Sequence, residues 1–177
     1  MRRFYKSRFE DVRIEGGTIY WDCVQISDEL LVMREVVSNG GEHVGSNRPD
    51  ADGFFFLPDG PDSIDNVDPL GEIPVVEIDD AEFEAAWAAH CAAYRERWER
   101  AKREYPLGAP VAGKIEIFYP QGTIIGAGDG VFGVAADGPA GMDDYYHYRG
   151  HAVTAVVAGY DEDNLWLVLE DLQGVPG

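Results

Sequence analysis

Between residues 79 and 106 the chain carries one helical pattern long enough to organise what surrounds it. Phe83, Trp87, Cys91, Tyr94, Trp98 and Ala101 recur at spacings of 4, 4, 3, 4 and 3, which puts all six on one face of an α-helix. Glu84, Arg95, Arg97, Glu99 and Arg103 occupy the opposite face. Asp79 and Glu82 form an approximate capping pair at the start. Pro106 marks the end, because proline disfavours helical geometry in the residue before it. A wide aromatic stripe is core, and a large apolar helix face packs on a sheet. The remaining sequence therefore has to supply strands.

The first half predicts an antiparallel β-meander. Val12 and Ile14 alternate with Asp11 and Arg13, and Glu15-Gly16-Gly17 reads as a turn. Residues 18–24 are β-branched and aromatic, which suits a half-buried pleated surface. A turn at Ser27-Asp28-Glu29 leads into a third strand over 30–37. Residues 38–72 are rich in Gly, Pro, Asn, Asp and Ser, and Phe54-Phe55-Phe56-Leu57 predicts a short strand between long loops. Loops of such length are commonly functional or mobile. Residues 73–78 predict another strand, which Pro74 confines to a sheet edge or a strand start.

After Pro106 the composition changes. Residues 107–177 hold only Lys114 and Arg149 as basic residues against ten Asp and Glu. Short strands are predicted over 111–119, 123–127, 131–135, 151–160 and 165–169. Five such strands joined by glycine turns suggest a small barrel. Gly108-Ala109-Pro110 is the expected junction.

The glycine and apolar spacing of this half is specific. Val111-x-Gly113-x-Ile115-x-Ile117 leads past Tyr119 to Gly122-Thr123-Ile124-Ile125. Gly128-x-Gly130-x-x-Gly133-Val134 follows, then Gly150-x-x-Val153, Tyr160-Asp161 and Leu165-x-Leu167-x-Leu169. Over residues 107–171 this resembles the S-one type RNA-binding domain, an OB-type barrel of five strands. The resemblance implies a barrel fold and RNA binding. Its functional residues do not all carry over. Ile124 stands where the family usually places an aromatic on the RNA-facing second strand. Ala135 stands where a histidine is frequent, and Trp166 where a basic residue is common. Phe118, Tyr119 and Trp166 are left as aromatics expected to be exposed. Together with Tyr146 and His147 of the preceding loop, they are the barrel-face binding candidates.

The fold expectation is thus α+β. Residues 1–106 form a β-meander domain with one long amphipathic helix, and residues 107–177 form a small five-stranded OB-like barrel.

Charge weighs against the RNA implication. The 177 residues hold 14 Lys plus Arg against 33 Asp plus Glu, a net charge of −19. Stacking on aromatics contributes about 1–3 kcal/mol per base, but it works beside a basic groove, and a strongly acidic surface repels a phosphate backbone. The basic clusters, Arg2, Arg3, Lys6, Arg8 and then Arg95, Arg97, Arg100, Lys102, Arg103, lie elsewhere. The second interleaves with Glu96, Glu99 and Glu104, as on a solvated, salt-bridged helix face.

Motifs for chemistry are incomplete. Gly128-x-Gly130-x-x-Gly133 has the spelling of a dinucleotide fingerprint, but Val134-Ala135-Ala136-Asp137-Gly138-Pro139 cannot start the required helix. His147 and His151, near Asp143 and Asp144, are separated by Gly150 and do not make a convergent metal set. Asp50, Asp52, Asp59, Asp62, Asp65 and Asp68 suggest calcium, yet position 12 counted from Asp50 is Pro61. His90 beside Cys91 points away from it on a helix, so a catalytic thiolate is not expected. No catalytic residue, metal or cofactor is assigned.

Two cysteines 68 positions apart, Cys23 and Cys91, are read as buried free thiols. The charged start, Met1 to Lys6, lacks a following apolar segment, and no run of about 18 apolar residues exists. A cytoplasmic protein without membrane partners is expected. Three function classes follow: an acidic, non-enzymatic module that binds a basic protein partner through the barrel and aromatic-bearing loops; a binder of RNA or single-stranded nucleic acid; and, third, an enzyme with its site in the 38–72 loops. The first is favoured by charge.

Overall fold

The structure is a computed structural model that describes residues 1–8, 16–26, 29–55, 75–138 and 149–175. The chain divides into two compact units, Met1–Ala93 and Tyr94–Gly177. The composition change in the sequence falls later, at Pro106.

The first unit is built on β1 (Arg2–Arg8), β2 (Thr18–Ile26), β3 (Glu29–Asn39), β4 (Glu42–Gly45) and β5 (Val75–Ile78). Their order in the sheet is β4-β3-β2-β1-β5, antiparallel throughout. β1 to β4 follow one another as a meander in which β2 and β3 are the strands expected over 18–24 and 30–37, β4 lies in the stretch read as loops, and β5 takes the edge beside β1. The predicted strand at Val12 and Ile14 and the turn at Ser27-Asp28 lie outside the described residues. β1 was not anticipated, because arginines and a lysine dominate its composition. Its pattern is nonetheless that of a strand: Tyr5 and Ser7 are buried and Lys6 between them is not. Phe54 and Phe55 belong to no strand, and Phe56 and Leu57 lie outside the described residues.

The register sorts the sheet into two faces. Tyr5 opposes Trp21 and Ser7 opposes Ile19. Tyr5, Ile19, Trp21, Cys23, Val32 and Val37 form an apolar core on this side. On the other face Phe4 opposes Asp22, and Asp22 opposes Arg34. Here packs the first helix, α1 (Asp80–Ala92). The Phe83 ring lies 5.4 Å from that of Phe4, and the Arg34 guanidinium sits over Phe83 and Trp87 at 4.8 and 5.2 Å. Asp79 caps α1, its Oδ1 accepting from the Glu82 N–H at 2.8 Å.

The single long helix of the sequence reading is two helices. α1 ends at Ala92 and α2 spans Arg95–Glu104. Tyr94, with φ −108° and ψ −9°, separates them. The aromatic stripe serves two cores. Phe83, Trp87 and Cys91 are buried in the first unit, while Trp98 and Ala101 are buried in the second.

The second unit follows α2 with β6 (Pro110–Tyr119), β7 (Gly122–Gly128), β8 (Val131–Ala135), β9 (Ala152–Asp161) and β10 (Trp166–Gly174). They close into a barrel in the order β10-β8-β7-β6-β9, with β8 and β10 parallel and the other pairs antiparallel. All five predicted strands are present, and the closed barrel is compatible with an OB-like one. Val153, Ala155 and Val157 are buried while Thr154 and Ala158 are exposed, the alternation a barrel wall requires. Two glycines are obligatory. A Cβ at Gly113 would lie 2.5 Å from the Gly126 carbonyl oxygen, and one at Gly122 (φ 137°) would overlap the Ala135 carbonyl oxygen.

α2 is fastened to the β9–β10 turn. Trp98 Nε1 donates to Glu162 Oε2 at 2.8 Å, and Lys102 Nζ donates to Glu162 Oε1 at 2.9 Å. The Tyr160 hydroxyl donates to the Tyr105 carbonyl at 3.0 Å, and its ring meets Trp98 edge-on at 5.9 Å. The Lys102 ammonium holds the Glu162 carboxyl below the usual carboxylate range. Among the described residues no helix is long and apolar enough to cross a membrane.

Candidate binding surfaces

The aromatics expected on the barrel surface are not open to it. Trp166 is 1% exposed and Tyr119 7%; their rings pack together at 6.1 Å. Phe118 is partly buried. Tyr146 and His147, with Asp143 and Asp144, lie outside the described residues. The expectation of exposed stacking rings is therefore corrected at Tyr119 and Trp166. The cause is visible along the strands. Thr123–Ile125 of β7, all of β8 and Leu165–Leu167 at the start of β10 are buried without alternation, so both faces are covered there. β7 and β8 are thus filled in, and Glu162 of the β9–β10 turn is committed to α2.

What stays open is concave and charged. A groove of about 400 Å³ runs between residues 135–138 and 169–173. Asp137, Glu170 and Asp171 line it, with no lysine or arginine among its lining residues. Sequence reading ended the last strand at Leu169 and missed these groups. The signal was the continuation Glu170-Asp171-Leu172-Gln173, in which a buried Leu172 keeps the strand pinned to the barrel.

A second concavity, about 520 Å³, has a floor of small residues: Gly113, Gly126, Gly128 and Gly130, with Phe132. Lys114 and Glu116 also line it. Arg97 of α2 lies against Gly130, where a Cβ would meet its guanidinium. Arg149 precedes Gly150, whose N–H donates to the Ile115 carbonyl at 2.7 Å, beside Lys114. Lys114 and Arg97 thus both stand at this concavity.

In the first unit the acidic loop presents an aromatic. Asp50 Oδ1 accepts from the N–H groups of Asp52 (3.0 Å) and Phe54 (2.8 Å). The Asp50 N–H donates to the Phe54 carbonyl at 2.9 Å. This closed turn buries Phe55 and leaves Phe54 58% exposed. Asp50 therefore has a turn-forming role; Asp59, Asp62, Asp65 and Asp68 lie outside the described residues. Among the described residues no three His, Cys, Asp or Glu side chains gather as a metal site.

His90, Asn47 and Cys91 form a buried polar chain. His90 Nε2 donates to Asn47 Oδ1 at 2.7 Å, and Asn47 Nδ2 approaches Cys91 Sγ at 3.8 Å. Burial pushes the imidazole down to about 4, so it is neutral at pH 7. Because the folded-state value is depressed, His90 costs nothing above its unfolded value of about 6.5. As pH falls from 6.5 to 4 the unfolded chain takes up a proton that the folded one refuses. About 3 kcal/mol of stability is then lost. Urea midpoints measured across this window should fall more steeply for the native chain than for His90→Gln; parallel slopes would refute the assignment.

Both cysteines are buried and neither is in a disulfide among the described residues, and burial raises Cys23 to about 12. Neither should react with a disulfide reagent in the folded protein, and both should react after denaturation. Fast labelling of the folded chain would show an accessible thiolate. Comparison with protein-family models and with curated proteins finds no match.

Proposed function

We propose that this chain is an acidic, non-enzymatic binding module that recognises a basic protein partner. The observation that carries the reading is the groove beside the end of β8, lined by Asp137, Glu170 and Asp171 with no lysine or arginine lining it among the described residues. The first unit separately exposes Phe54 on its closed turn, an aromatic of the kind that anchors interfaces. A net charge of −19 speeds encounter with a basic protein and selects against acidic ones. The barrel itself is read as S-one type, on its glycine and apolar spacing and its strand order.

The test is chemical cross-linking in cell extract, identification of the captured protein, and titration of that purified protein at rising salt. The expected partner is basic, its affinity weakens with salt, and Phe54→Ala or Glu170→Gln weakens binding tenfold or more. An acidic partner, or one indifferent to both substitutions, would refute the proposal.

The glycine-floored concavity favours a second reading, RNA or single-stranded nucleic acid, since Lys114 lines it with Phe132 and Arg97 lies against its Gly130. Anisotropy titration with short single-stranded RNA separates the two. Micromolar binding with a clear salt slope, abolished in Lys114→Glu with Arg97→Glu, would move the assignment to RNA. No binding at low salt would leave the protein-partner reading in place.

A further inference from the structure

The acid-lined groove is also an unfinished sheet edge. β8 and β10 pair in parallel from Gly133 and Leu167 to Ala135 and Leu169. There β8 ends, while β10 continues to Gly174. Its other side is taken by β9, Glu170 opposing Val156 and Gln173 opposing Thr154. Among the described residues no strand lies along the β8 side of β10 beyond Leu169. The groove occupies the place such a strand would take, bounded by residues 135–138 on one side and 169–173 on the other. Asp137, Glu170 and Asp171 are exposed and engaged in no ion pair among the described residues.

Resting on the protein-partner reading, we propose that an extended basic segment of the partner docks in this groove as an added strand on β10. Main-chain pairing would give affinity, and alternate side chains would give specificity. A lysine or arginine at every second position would put its charges on the carboxylate side. The edge also selects against the wrong occupant by charge. Asp171, at φ 55° in a register shift between Glu170 and Gln173, interrupts the edge, so pairing falls on the residues to either side of it. An edge bearing carboxylates resists pairing with a second copy of itself, because both edges would carry the same charge. A basic, extended segment meets no such repulsion.

The test uses the full chain and three labelled ten-residue peptides, followed by anisotropy. One alternates lysine and threonine, one replaces a central threonine of that sequence by proline, and one alternates glutamate and threonine. The lysine peptide should bind, the proline version at least tenfold more weakly, and the glutamate version not at all. Asp137→Asn with Glu170→Gln should weaken the lysine peptide tenfold or more, with an unchanged thermal transition showing that the fold is intact. Equal binding of the lysine and proline peptides would overturn strand addition and leave the acidic module standing, as would binding unaffected by the double substitution. Absence of binding by both at low salt would overturn strand addition and count against the acidic-module reading as well.

Discussion

Gly122→Ala should unfold the barrel unit far below the temperature at which the native chain melts. Gly122 has φ 137°, a region closed to side chains, and a Cβ there overlaps the Ala135 carbonyl oxygen. The backbone strain costs about 1–3 kcal/mol, and the overlap with main chain a further 1–3 kcal/mol or so. Neither can relax by turning a rotamer, because the obstacle is the neighbouring strand itself. The total, about 3–5 kcal/mol, is a large share of the stability of a domain this size. A loss of 1 kcal/mol lowers Tm by roughly 4–8 °C for a unit of 60–100 residues, so a fall of well over 10 °C is expected. Gly128→Ala is the control. It also has a positive φ, 93°, but no atom within 4 Å of the added Cβ, so it carries strain without collision. Calorimetry of the two variants measures the difference. Equal losses would mean that the Gly122–Ala135 approach is not a constraint on closure.

Arg34→Met should be comparably damaging in the first unit. Arg34 is 2% exposed and Asp22 0%. The guanidinium Nε donates to Asp22 Oδ2 at 2.8 Å, and its other nitrogens meet Glu84. It also sits over the Phe83 and Trp87 rings, at 4.8 and 5.2 Å from their centroids. Removing the cation leaves the Asp22 carboxylate buried with Arg2 alone beside it. Losing one partner of a buried pair costs about 3–5 kcal/mol. Arg34→Lys keeps the charge but neither the fork nor the stacking plane, and should lose less. Adding Asp22→Asn to Arg34→Met should restore part of the loss, because it removes a buried carboxylate that has kept only one of its two cations. Urea unfolding followed by tryptophan fluorescence reports all three. If the double variant is no better than the single one, the cost lies in packing and not in the under-compensated carboxylate.

These two sites show what was readable beforehand. The barrel strands were legible because each is a short run rich in β-branched and other apolar residues set off by glycine turns. β1 was not, because Arg2, Arg3, Lys6 and Arg8 gave it the look of a charged leader. Those charges are absorbed by partners distant in sequence: Arg2 by Asp22, Arg3 by Glu77 and Lys6 by Glu82. The division of the helix was hidden for a different reason. The stripe from Phe83 to Ala101 keeps its period through Tyr94, and periodicity does not say that one stripe feeds two cores. Exposure of Tyr119 and Trp166 was misjudged because alternation within a strand cannot tell whether its outer face is covered. The candidate groove was half legible. Its acids were counted in the net charge, but their convergence depends on where β8 stops, which only the pairing with β10 reveals.

That parallel pair also bears on how the chain comes to be folded. In the meander, consecutive strands β1 to β4 meet across short connections, so most of the first sheet forms from neighbours in sequence. Closing the barrel requires Gly133 to find Leu167, and Val111 to find Ala155, across much longer stretches of chain. Contacts of large sequence separation slow folding, because loop-closure entropy is spent before they form. During synthesis the first four strands can therefore assemble while β9 and β10 are still being made. Until β10 arrives, β8 has no neighbour on that side. Over that interval an unpaired strand edge stands open, and its lack of charge between Val131 and Ala135 makes it the point in the chain's life most exposed to mispairing.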